Sequence, residues 1–257
     1  MLSASETRLL HALKSRSGRE KNQAFIVEGV RVVEEAAAAG IDLKFAAISP
    51  SLEDSGRGRA LLERLAATTT VRRVSDAELR NLAETDAPQG VLAVARTPRS
   101  TLETVRLAER ALLLVLDAVQ DPGNVGTLIR TADAFAVSAV IALPGTVDYW
   151  NSKVVRSAAG ATFHVPLISA PEADTWPWLR SNHVAICGAD KHGRALEAGS
   201  LPERSALVVG NEGAGLRKET RAQLDQLLSI SMPGRAESLN VAAAAAILLY
   251  EMSRAVR

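Results

Sequence analysis

Three short segments of the chain combine glycine with polar side chains that could act on a bound molecule. They are DPGNVGTLIR at 121–130, VGNEGAGL at 209–216 and SMPGRAESLN at 231–240. Each follows an apolar run typical of a buried strand, such as ALLLVLDAV before the first. Ligands of open parallel sheets bind beyond the carboxyl ends of the strands. These three strand exits are therefore the candidate ligand-binding loops.

The spacing of the chemical residues excludes several common sites. Gly123 and Gly126 do not form the G-x-G-x-x-G of a dinucleotide-binding turn, and no P-loop pattern occurs in the chain. No G-x-S-x-G nucleophile elbow is present either. The four histidines lack the spacing of metal ligands, and Cys187, the single cysteine, fits best as a small core residue. We therefore expect no metal.

The elements around these loops predict two domains. Helical and strand patterns alternate over the first hundred residues, and Ser75 with Glu78 has the spacing of a capping box. From residue 111 stronger apolar strands alternate with helices, which favours a parallel sheet covered on both faces. We predict an N-terminal domain at 1–98, a polar linker at 99–110 and a second domain at 111–257. A serine, Ser238, is the predicted cap of the last helix.

Composition is typical of an α/β protein with a sizeable core. The chain has 257 residues, 47% of them hydrophobic and 4% aromatic, with a net charge of +1. No apolar stretch approaches the roughly 20 residues of a membrane helix, and residues 1–21 lack the apolar core of a signal peptide. We therefore expect a cytoplasmic protein. Residues 1–31 carry six Lys or Arg against three Glu, an excess that fits either a solvated helix face or an RNA-binding surface.

Together the three loops resemble the three motifs of the SpoU branch of the SPOUT class, which are S-adenosylmethionine-dependent RNA 2′-O-ribose methyltransferases. Each motif matches this sequence at several positions: Asn124, Gly126, Arg130 and Ala132 in the first, Asn211, Glu212 and Gly213 in the second, and Ile230, Met232, Gly234, Ser238, Leu239 and Asn240 in the third. Ser231 stands where the family usually has proline.

The resemblance implies a fold as well as an activity. It implies a C-terminal SPOUT α/β-knot domain, a parallel sheet with a deep trefoil knot. A small ribosomal-protein-like α/β RNA-binding domain precedes it, because residues 7–37 resemble the opening of that domain. It also implies a homodimer formed through the knot and the C-terminal helix.

Site roles follow from the same resemblance. The predicted catalytic residues are Arg130, Glu212, Ser238, Asn240 and Asn124. The predicted residues for binding S-adenosyl-L-methionine are Gly210, Ile230, Leu239, Met232 and Gly213. The predicted RNA-binding residues are Lys14, Arg16, Arg19, Lys21, Arg31, Lys153 and Arg156. Glu212 and Ser238 are expected to orient Arg130 and the substrate, and the two asparagines to hold the loops.

The high pKa of its guanidinium limits the role that Arg130 can have in catalysis. A guanidinium has a pKa above about 12 and is a poor general base near neutrality. We therefore expect Arg130 to stabilise the developing alkoxide and clamp a phosphate, while the phosphate or water accepts the proton. The alternative is a surface arginine paired with Asp133, three residues along the helix.

Three functions stay open from the sequence. The first is ribose 2′-O-methylation of RNA, with large-subunit ribosomal RNA preferred over transfer RNA because of the N-terminal domain. The second is a non-catalytic RNA-binding or ribosome-assembly protein on the same fold. A nucleotide-dependent oxidoreductase is the third, to be revived only by binding of a nicotinamide cofactor.

Overall fold

Helices and strands alternate along the computed structural model, which describes residues 1–195 and 202–256. The helices are α1 Ala4–Leu13, α2 Arg16–Asn22, α3 Val30–Ala38, α4 Gly56–Thr68, α5 Asp76–Leu82, α6 Pro122–Ala134, α7 Ser152–Ser157, α8 Glu172–Ser181, α9 Lys218–Arg221 and α10 Val241–Val256. The strands are β1 Ala24–Glu28, β2 Leu43–Ile48, β3 Val71–Arg73, β4 Val91–Arg96, β5 Ala111–Leu116, β6 Ala139–Ala142, β7 Leu167–Ser169, β8 Ala185–Ala195, β9 Arg204–Val209 and β10 Gln226–Ser229. Single 3₁₀ turns occupy Pro50–Asp54, Leu102–Thr104 and Ala161–Phe163.

The elements belong to two units. The first contains residues 1–99 and 148–163, and the second contains residues 100–147 and 164–257. Two features differ from the predicted division. Segment 148–163 packs with the first unit, where Val155 lies in the core. Leu102 belongs to the predicted linker, but its apolar side chain is buried in the core of the second unit.

The first unit is built on a mixed four-stranded sheet in the order β1-β4-β2-β3. The strands β1 and β2 run antiparallel to β4, and β3 runs parallel to β2. Alternate residues of β1 enter two different cores, with Phe25 and Val27 on one face and Ala24 and Ile26 on the other. Both faces of this sheet are therefore covered. The capping box predicted before α5 is present, since Ser75 and Glu78 make both reciprocal hydrogen bonds.

The second unit is built on the parallel sheet predicted from the apolar runs. Its six strands are ordered β10-β8-β9-β5-β6-β7, and every neighbouring pair is parallel. The central strand β5 is buried along its whole length. Helix α10 packs against α6 and against β5 and β9. Because all strands are parallel, the exits of β5, β9 and β10 lie at the same edge of the sheet. The trefoil knot implied by the resemblance stays a prediction, since strand order alone does not establish it.

Candidate functional site

A chain of side-chain hydrogen bonds joins the three candidate loops. Asn240 Nδ2 donates to Asn124 Oδ1 at 3.0 Å, and Asn124 Nδ2 donates to Glu212 Oε1 at 3.0 Å. Each of these residues comes from a different loop, and up to 116 positions separate the partners. The two asparagines therefore join the loops, which is the role that the resemblance implies for them.

Glu212 is the acceptor at the end of this chain. Its carboxylate also accepts the backbone N–H groups of Gln120 at 3.2 Å and Asp121 at 3.0 Å. Burial disfavours the charged form of Glu212, but the hydrogen bonds from Asn124 and from the backbone outweigh it, so its pKa lies below the ordinary value. Arg130 is not among its partners in the described part of the chain. Glu212 holds the first loop instead of orienting that arginine.

The first loop becomes helix α6 through a side-chain cap. Asp121 Oδ1 accepts the backbone N–H of Asn124 at 2.9 Å, and Pro122 occupies the first turn, where its missing N–H costs nothing. The cap fixes the start of α6 and with it the position of Asn124.

The second loop is closed by a backbone bridge between Asn211 and Gly215. The two residues exchange N–H···O bonds of 3.0 and 2.9 Å, and Asn211 Oδ1 also accepts two N–H groups of the loop. Gly215 has φ +70°, and a Cβ on Gly210 would lie 2.3 Å from the Gly215 backbone carbon. Gly210 therefore has a structural reason to be glycine, in addition to its predicted place in the cofactor site.

Asp117, which the sequence analysis did not select, holds both ends of the second loop. Its backbone N–H donates to Val209 O at 2.8 Å, where the loop begins. Its fully buried carboxylate accepts Arg217 N at 2.9 Å and Arg217 Nε at 2.5 Å, where the loop ends. Glu172 Oε1 lies 2.8 Å from the same guanidinium. An acidic residue at the end of a wholly apolar run was the available signal for this position.

The third loop leads into helix α10. Asn240 Oδ1 accepts the backbone N–H of Ala242 at 2.9 Å, so Asn240, and not the predicted Ser238, caps the helix. Ser238 is exposed and has no hydrogen-bond partner among the residues that the structure describes. Its side chain is therefore free to contact a substrate.

A cavity of about 460 Å³ opens between the second and third loops. All five residues predicted to bind a cofactor line it: Gly210, Gly213, Ile230, Met232 and Leu239. Other lining residues lie on β8, α9 and α10 and were not predicted: Ala189, Asp190, Lys191, His192, Arg221, Val241, Ala244 and Leu248. Glycine backbone and apolar side chains form most of this wall, and the charged groups are few. This surface suits a molecule that is largely apolar and carries a small number of polar groups.

Arg130 is exposed on α6 and makes no hydrogen bond or ion pair with any described residue. The alternative of a structural pair with Asp133 is wrong, because Asp133 Oδ2 contacts His164 Nδ1 at 3.1 Å. Helical side chains lean toward the helix N-terminus, and the residue one turn back is Gly126, which has no side chain. Arg130 is therefore free to bind an anion near the loops.

The predicted RNA-binding residues of the first unit fall into two groups. Exposed side chains are presented by Lys14, Arg16, Lys21, Arg31 and Lys153. Arg19 is only 6% exposed; its Nε contacts Asp148 Oδ2 at 2.6 Å and its Nη1 donates to Leu13 O at 2.9 Å. The prediction for Arg19 is wrong, because its buried guanidinium binds Asp148 and the end of α1 instead of facing RNA.

Arg156 also has a structural partner. Its Nη1 lies 3.5 Å from Glu28 Oε2, and Glu28 is buried and accepts the backbone N–H groups of Glu84 and Thr85. Only part of the Arg156 side chain is exposed, whereas Lys153 is exposed, so the prediction that Arg156 contacts RNA has less support than that for Lys153.

Within residues 1–195 and 202–256, no three His, Cys, Asp or Glu side chains are grouped as metal ligands would be. No helix among the described elements is long and apolar enough to cross a bilayer. Cys187 is buried, and burial raises the pKa of its thiol although Gln226 donates to the sulfur.

Comparison with known proteins gives matches for both parts of the chain. Residues 111–250 match the SpoU rRNA Methylase family, and residues 5–93 match an MRM3-like substrate binding domain. The 23S rRNA (guanosine(2553)-2′-O)-methyltransferase RlmP of Bacillus subtilis is 37% identical over 245 residues, which cover 93% of this chain and 92% of that protein.

Two further comparisons concern Streptomyces viridochromogenes. A 23S rRNA (uridine(2479)-2′-O)-methyltransferase from that organism is 31% identical, and the match covers 94% of this chain and 86% of that protein. The crystal structure of its SpoU methyltransferase AviRb, in complex with AdoMet, superposes with a TM-score of 0.88 at 30% identity, covering 98% of each chain.

Proposed function

The chain belongs to the SpoU rRNA methylase family, and from that membership we propose that it transfers a methyl group from S-adenosyl-L-methionine to a ribose 2′-hydroxyl of large-subunit ribosomal RNA. The relatives that match along nearly the whole chain carry this activity in their names. The observation in this molecule that carries the proposal is Arg130, an exposed guanidinium without a partner among the described residues, beside three loops that Asn124, Glu212 and Asn240 join.

The cavity between the second and third loops fits the methyl donor. Gly210 and Gly213 offer backbone groups without side-chain bulk, and Ile230, Met232 and Leu239 offer apolar contact for an adenosyl group. A Cβ on Gly210 would collide with the loop backbone, so glycine keeps this wall in place. When bound, the donor supplies an electrophilic methyl group that is bonded to a sulfonium sulfur.

The chain's own residues supply alignment and charge. Methyl transfer forms a bond between the ribose O2′ and the methyl carbon while the bond from sulfur to that carbon breaks. Holding the hydroxyl in line lowers the barrier by roughly 7–11 kcal/mol in favourable cases. Arg130 binds the phosphate next to the target ribose and stabilises negative charge on O2′ as the proton leaves.

The proton of the 2′-hydroxyl goes to the neighbouring phosphate or to water. Arg130 does not accept it, because a guanidinium stays protonated near neutrality. Glu212 is ionised but its carboxylate is occupied by the loop donors. Ser238 is exposed at the rim of the cavity and donates a hydrogen bond to the substrate.

The first unit recruits RNA through its exposed basic residues. Lys14, Arg16, Lys21, Arg31 and Lys153 contact phosphates, which adds affinity without reading the sequence. A match to a substrate binding domain over residues 5–93 supports this assignment. Transfer RNA as substrate is the second candidate, and a protein that binds RNA without catalysis is the third.

A labelled-methyl assay tests the proposal. The protein is incubated with tritiated S-adenosylmethionine and unmodified 23S rRNA, 16S rRNA or transfer RNA, and the labelled nucleoside is identified by mass spectrometry. Label in a 2′-O-methyl nucleoside of 23S rRNA is the expected result. Label only in transfer RNA would move the proposal to the second candidate, and no label together with no donor binding would overturn it.

Arg130→Ala separates catalysis from binding. Because Arg130 has no structural partner among described residues, this variant should keep its thermal stability and its donor affinity while losing methyl transfer by about 10²–10³-fold, a typical loss for one electrostatic donor. Arg180→Ala is the control. It also removes an exposed arginine, but one that pairs with Asp225 and does not lie at the loops, so methyl transfer should be kept. Equal loss of donor binding and of transfer would mean that Arg130 is structural.

We also propose a homodimer in which α10 meets its copy. Ala243, Ile247, Tyr250 and Arg254 are exposed at helical spacing, with Ile247 42% and Tyr250 46% exposed. Phe135 supports this face through a ring contact of 5.9 Å with Tyr250. Sedimentation equilibrium should give a dimer for the native chain and a monomer for Ile247→Glu, while a control change of the exposed Glu219 to Lys keeps the dimer. A native monomer would refute this assembly.

We propose that residues 1–98 and 111–257 are two domains joined by a linker at 99–110. One change to this division is that segment 148–163 packs in the first unit. We also propose a cytoplasmic location, which the proposed ribosomal substrate supports. Limited proteolysis followed by mass spectrometry would test the division, since cleavage at 99–110 is expected before cleavage elsewhere.

A further inference from the structure

The cavity assigned to the methyl donor contains one cluster of opposite charges that no function yet uses. Asp190 follows the first half of β8, Arg221 ends helix α9, and both line the cavity. Arg221 Nη2 donates to Asp190 Oδ2, and Arg221 Nε donates to Leu216 O at 3.3 Å. The guanidinium is therefore fixed at two of its three nitrogens.

Arg221 keeps donors available for a ligand. Its side chain is 40% exposed, and within the described residues nothing accepts from Nη1. A guanidinium whose orientation is already fixed loses little side-chain entropy when it binds an anion. Nη1 can therefore donate a charge-assisted hydrogen bond to an anionic oxygen such as that of a carboxylate.

Asp190 has the properties of a positioning residue. Its Oδ1 accepts the backbone N–H of His192 at 2.8 Å, and its side chain is only 11% exposed. Burial raises its pKa, but the hydrogen bonds from His192 and Arg221 outweigh burial, so the pKa lies below the ordinary value. Asp190 is ionised at neutral pH and holds the guanidinium toward the cavity.

We propose that Arg221, oriented by Asp190, binds the α-carboxylate of the donor's methionyl group. The inference rests on the function proposed above. The donor carries a carboxylate at the end opposite the adenine. Most of the other lining residues are glycine or apolar, and Lys191 adds a second positive charge beside Asp190. A phosphate of RNA is a weaker occupant, because the carboxylate of Asp190 next to Arg221 also repels the neighbouring phosphates of a polyanionic chain.

Calorimetry with two adenosyl compounds tests the inference without turnover. S-adenosylhomocysteine carries the amino-acid carboxylate, and 5′-methylthioadenosine lacks it but keeps adenosine and sulfur. The native protein should bind S-adenosylhomocysteine about 10- to 100-fold more tightly, the range of a charge-assisted hydrogen bond. In Arg221→Gln this preference should fall to threefold or less, while the affinity for 5′-methylthioadenosine stays within twofold of the native value.

Further variants distinguish binding from folding. Arg221→Lys keeps the positive charge but loses the planar set of guanidinium N–H donors, and it should retain part of the preference for S-adenosylhomocysteine. Asp190→Asn should reduce the preference for S-adenosylhomocysteine less than Arg221→Gln does, because it removes only the contact that positions the guanidinium. Arg180→Gln, an exposed arginine paired with Asp225 outside the cavity, should leave both affinities unchanged.

Several outcomes overturn the inference. These are an unchanged preference in Arg221→Gln, equal binding of the two compounds by the native protein, or loss of 5′-methylthioadenosine binding in the variant, which would mean a collapsed cavity. Loss of RNA affinity at unchanged preference would assign Arg221 to phosphate contact instead. In all these cases the native protein still binds an adenosyl compound, so the proposed function survives. If the native protein binds neither compound, the proposed function itself fails.

Discussion

Asn124 links the three loops, so an isosteric change there should weaken the site without leaving a cavity. Asn124→Asp keeps the oxygen that accepts from Asn240 but replaces the amide that donates to Glu212 at 3.0 Å with a second carboxylate oxygen. The change removes one hydrogen bond to a charged group and places two carboxylates in contact.

The structure gives the size of this effect. A hydrogen bond to a charged group contributes about 1.5–3 kcal/mol. Two carboxylates about 4 Å apart repel by about 1 kcal/mol in water and about 4 kcal/mol near a protein surface. Because this part of the site is partly exposed, we take the lower part of the sum and expect the free energy of unfolding of the second unit to fall by about 2.5–4 kcal/mol at pH 8.

Acid pH should partly reverse the loss. The two carboxylates share one proton as pH falls, and the pair then titrates jointly with a pKa above that of either group in the unfolded chain. A raised folded-state pKa contributes stability below the unfolded pKa and loses it as pH rises through the folded pKa. The difference between variant and native protein should therefore shrink between pH 8 and pH 5, because the bound proton restores an O–H···O bond.

Guanidinium titrations at pH 8 and pH 5, followed by tryptophan fluorescence, measure this difference. Trp176 and Trp178 report on the second unit, and a Trp150→Phe background removes the signal of the first. Asn182→Asp is the control, since its amide donates to the backbone oxygen of Trp178 and not to a carboxylate. A loss at Asn124 that is independent of pH, or no larger than the control, would refute the proposed link between the loops.

Three further results are expected. Gly210→Ala should abolish donor binding in calorimetry, because its Cβ would lie 2.3 Å from backbone atoms. Gly234→Ala should keep donor binding within threefold, because no heavy atom lies within 4 Å of its Cβ and Gly234 is not among the residues that line the cavity. Arg19→Ala should lower the free energy of unfolding by about 3 kcal/mol, the low end for a buried pair, because it leaves the part-buried carboxylate of Asp148 without its cation. Arg16→Ala, which breaks an exposed pair, should lower it by less than about 0.5 kcal/mol. Equal losses would contradict the burial of Arg19. Because the pKa of Glu212 is lowered in the folded protein, its ionised form stabilises the fold fully above the ordinary pKa of 4.5, and this stabilisation is lost as pH falls through the folded pKa. Glu212→Gln should therefore make the free energy of unfolding less dependent on pH on the acid side. An unchanged pH dependence would argue against the contacts of Glu212 with the loops.

Much of the architecture was visible in the sequence because it depends on local patterns. Continuous apolar runs such as residues 111–116 favour a parallel sheet with helices on both faces, and the six-stranded sheet is parallel throughout. Capping boxes are equally local, and the pair of Ser75 and Glu78 follows from a spacing of three residues. Strand ends were less predictable. The run FHVPLIS begins with a 3₁₀ turn, so β7 starts only at Leu167.

Single residues also showed where sequence spacing is insufficient. Ser238 and Asn240 are both able to cap α10, and only the path of the third loop selects Asn240. Basic residues of the first 31 positions look alike in the sequence, yet Arg19 is buried against Asp148, 129 positions later. A charge that finds a distant partner cannot be told from a solvated charge by its neighbours.

The sequence by itself determined which chemistry the molecule carries, because residue types in three motifs name the groups that are present: an arginine, a carboxylate, amides and glycine-rich loops. Only the tertiary structure decided how these groups are used. It turned Glu212 toward Asn124 instead of Arg130, held the second loop at both ends through Asp117, and brought Asp190 and Arg221 to one cavity wall. Each of these contacts joins residues 31–100 positions apart, and such pairs are set by the order of the strands, which no local pattern contains.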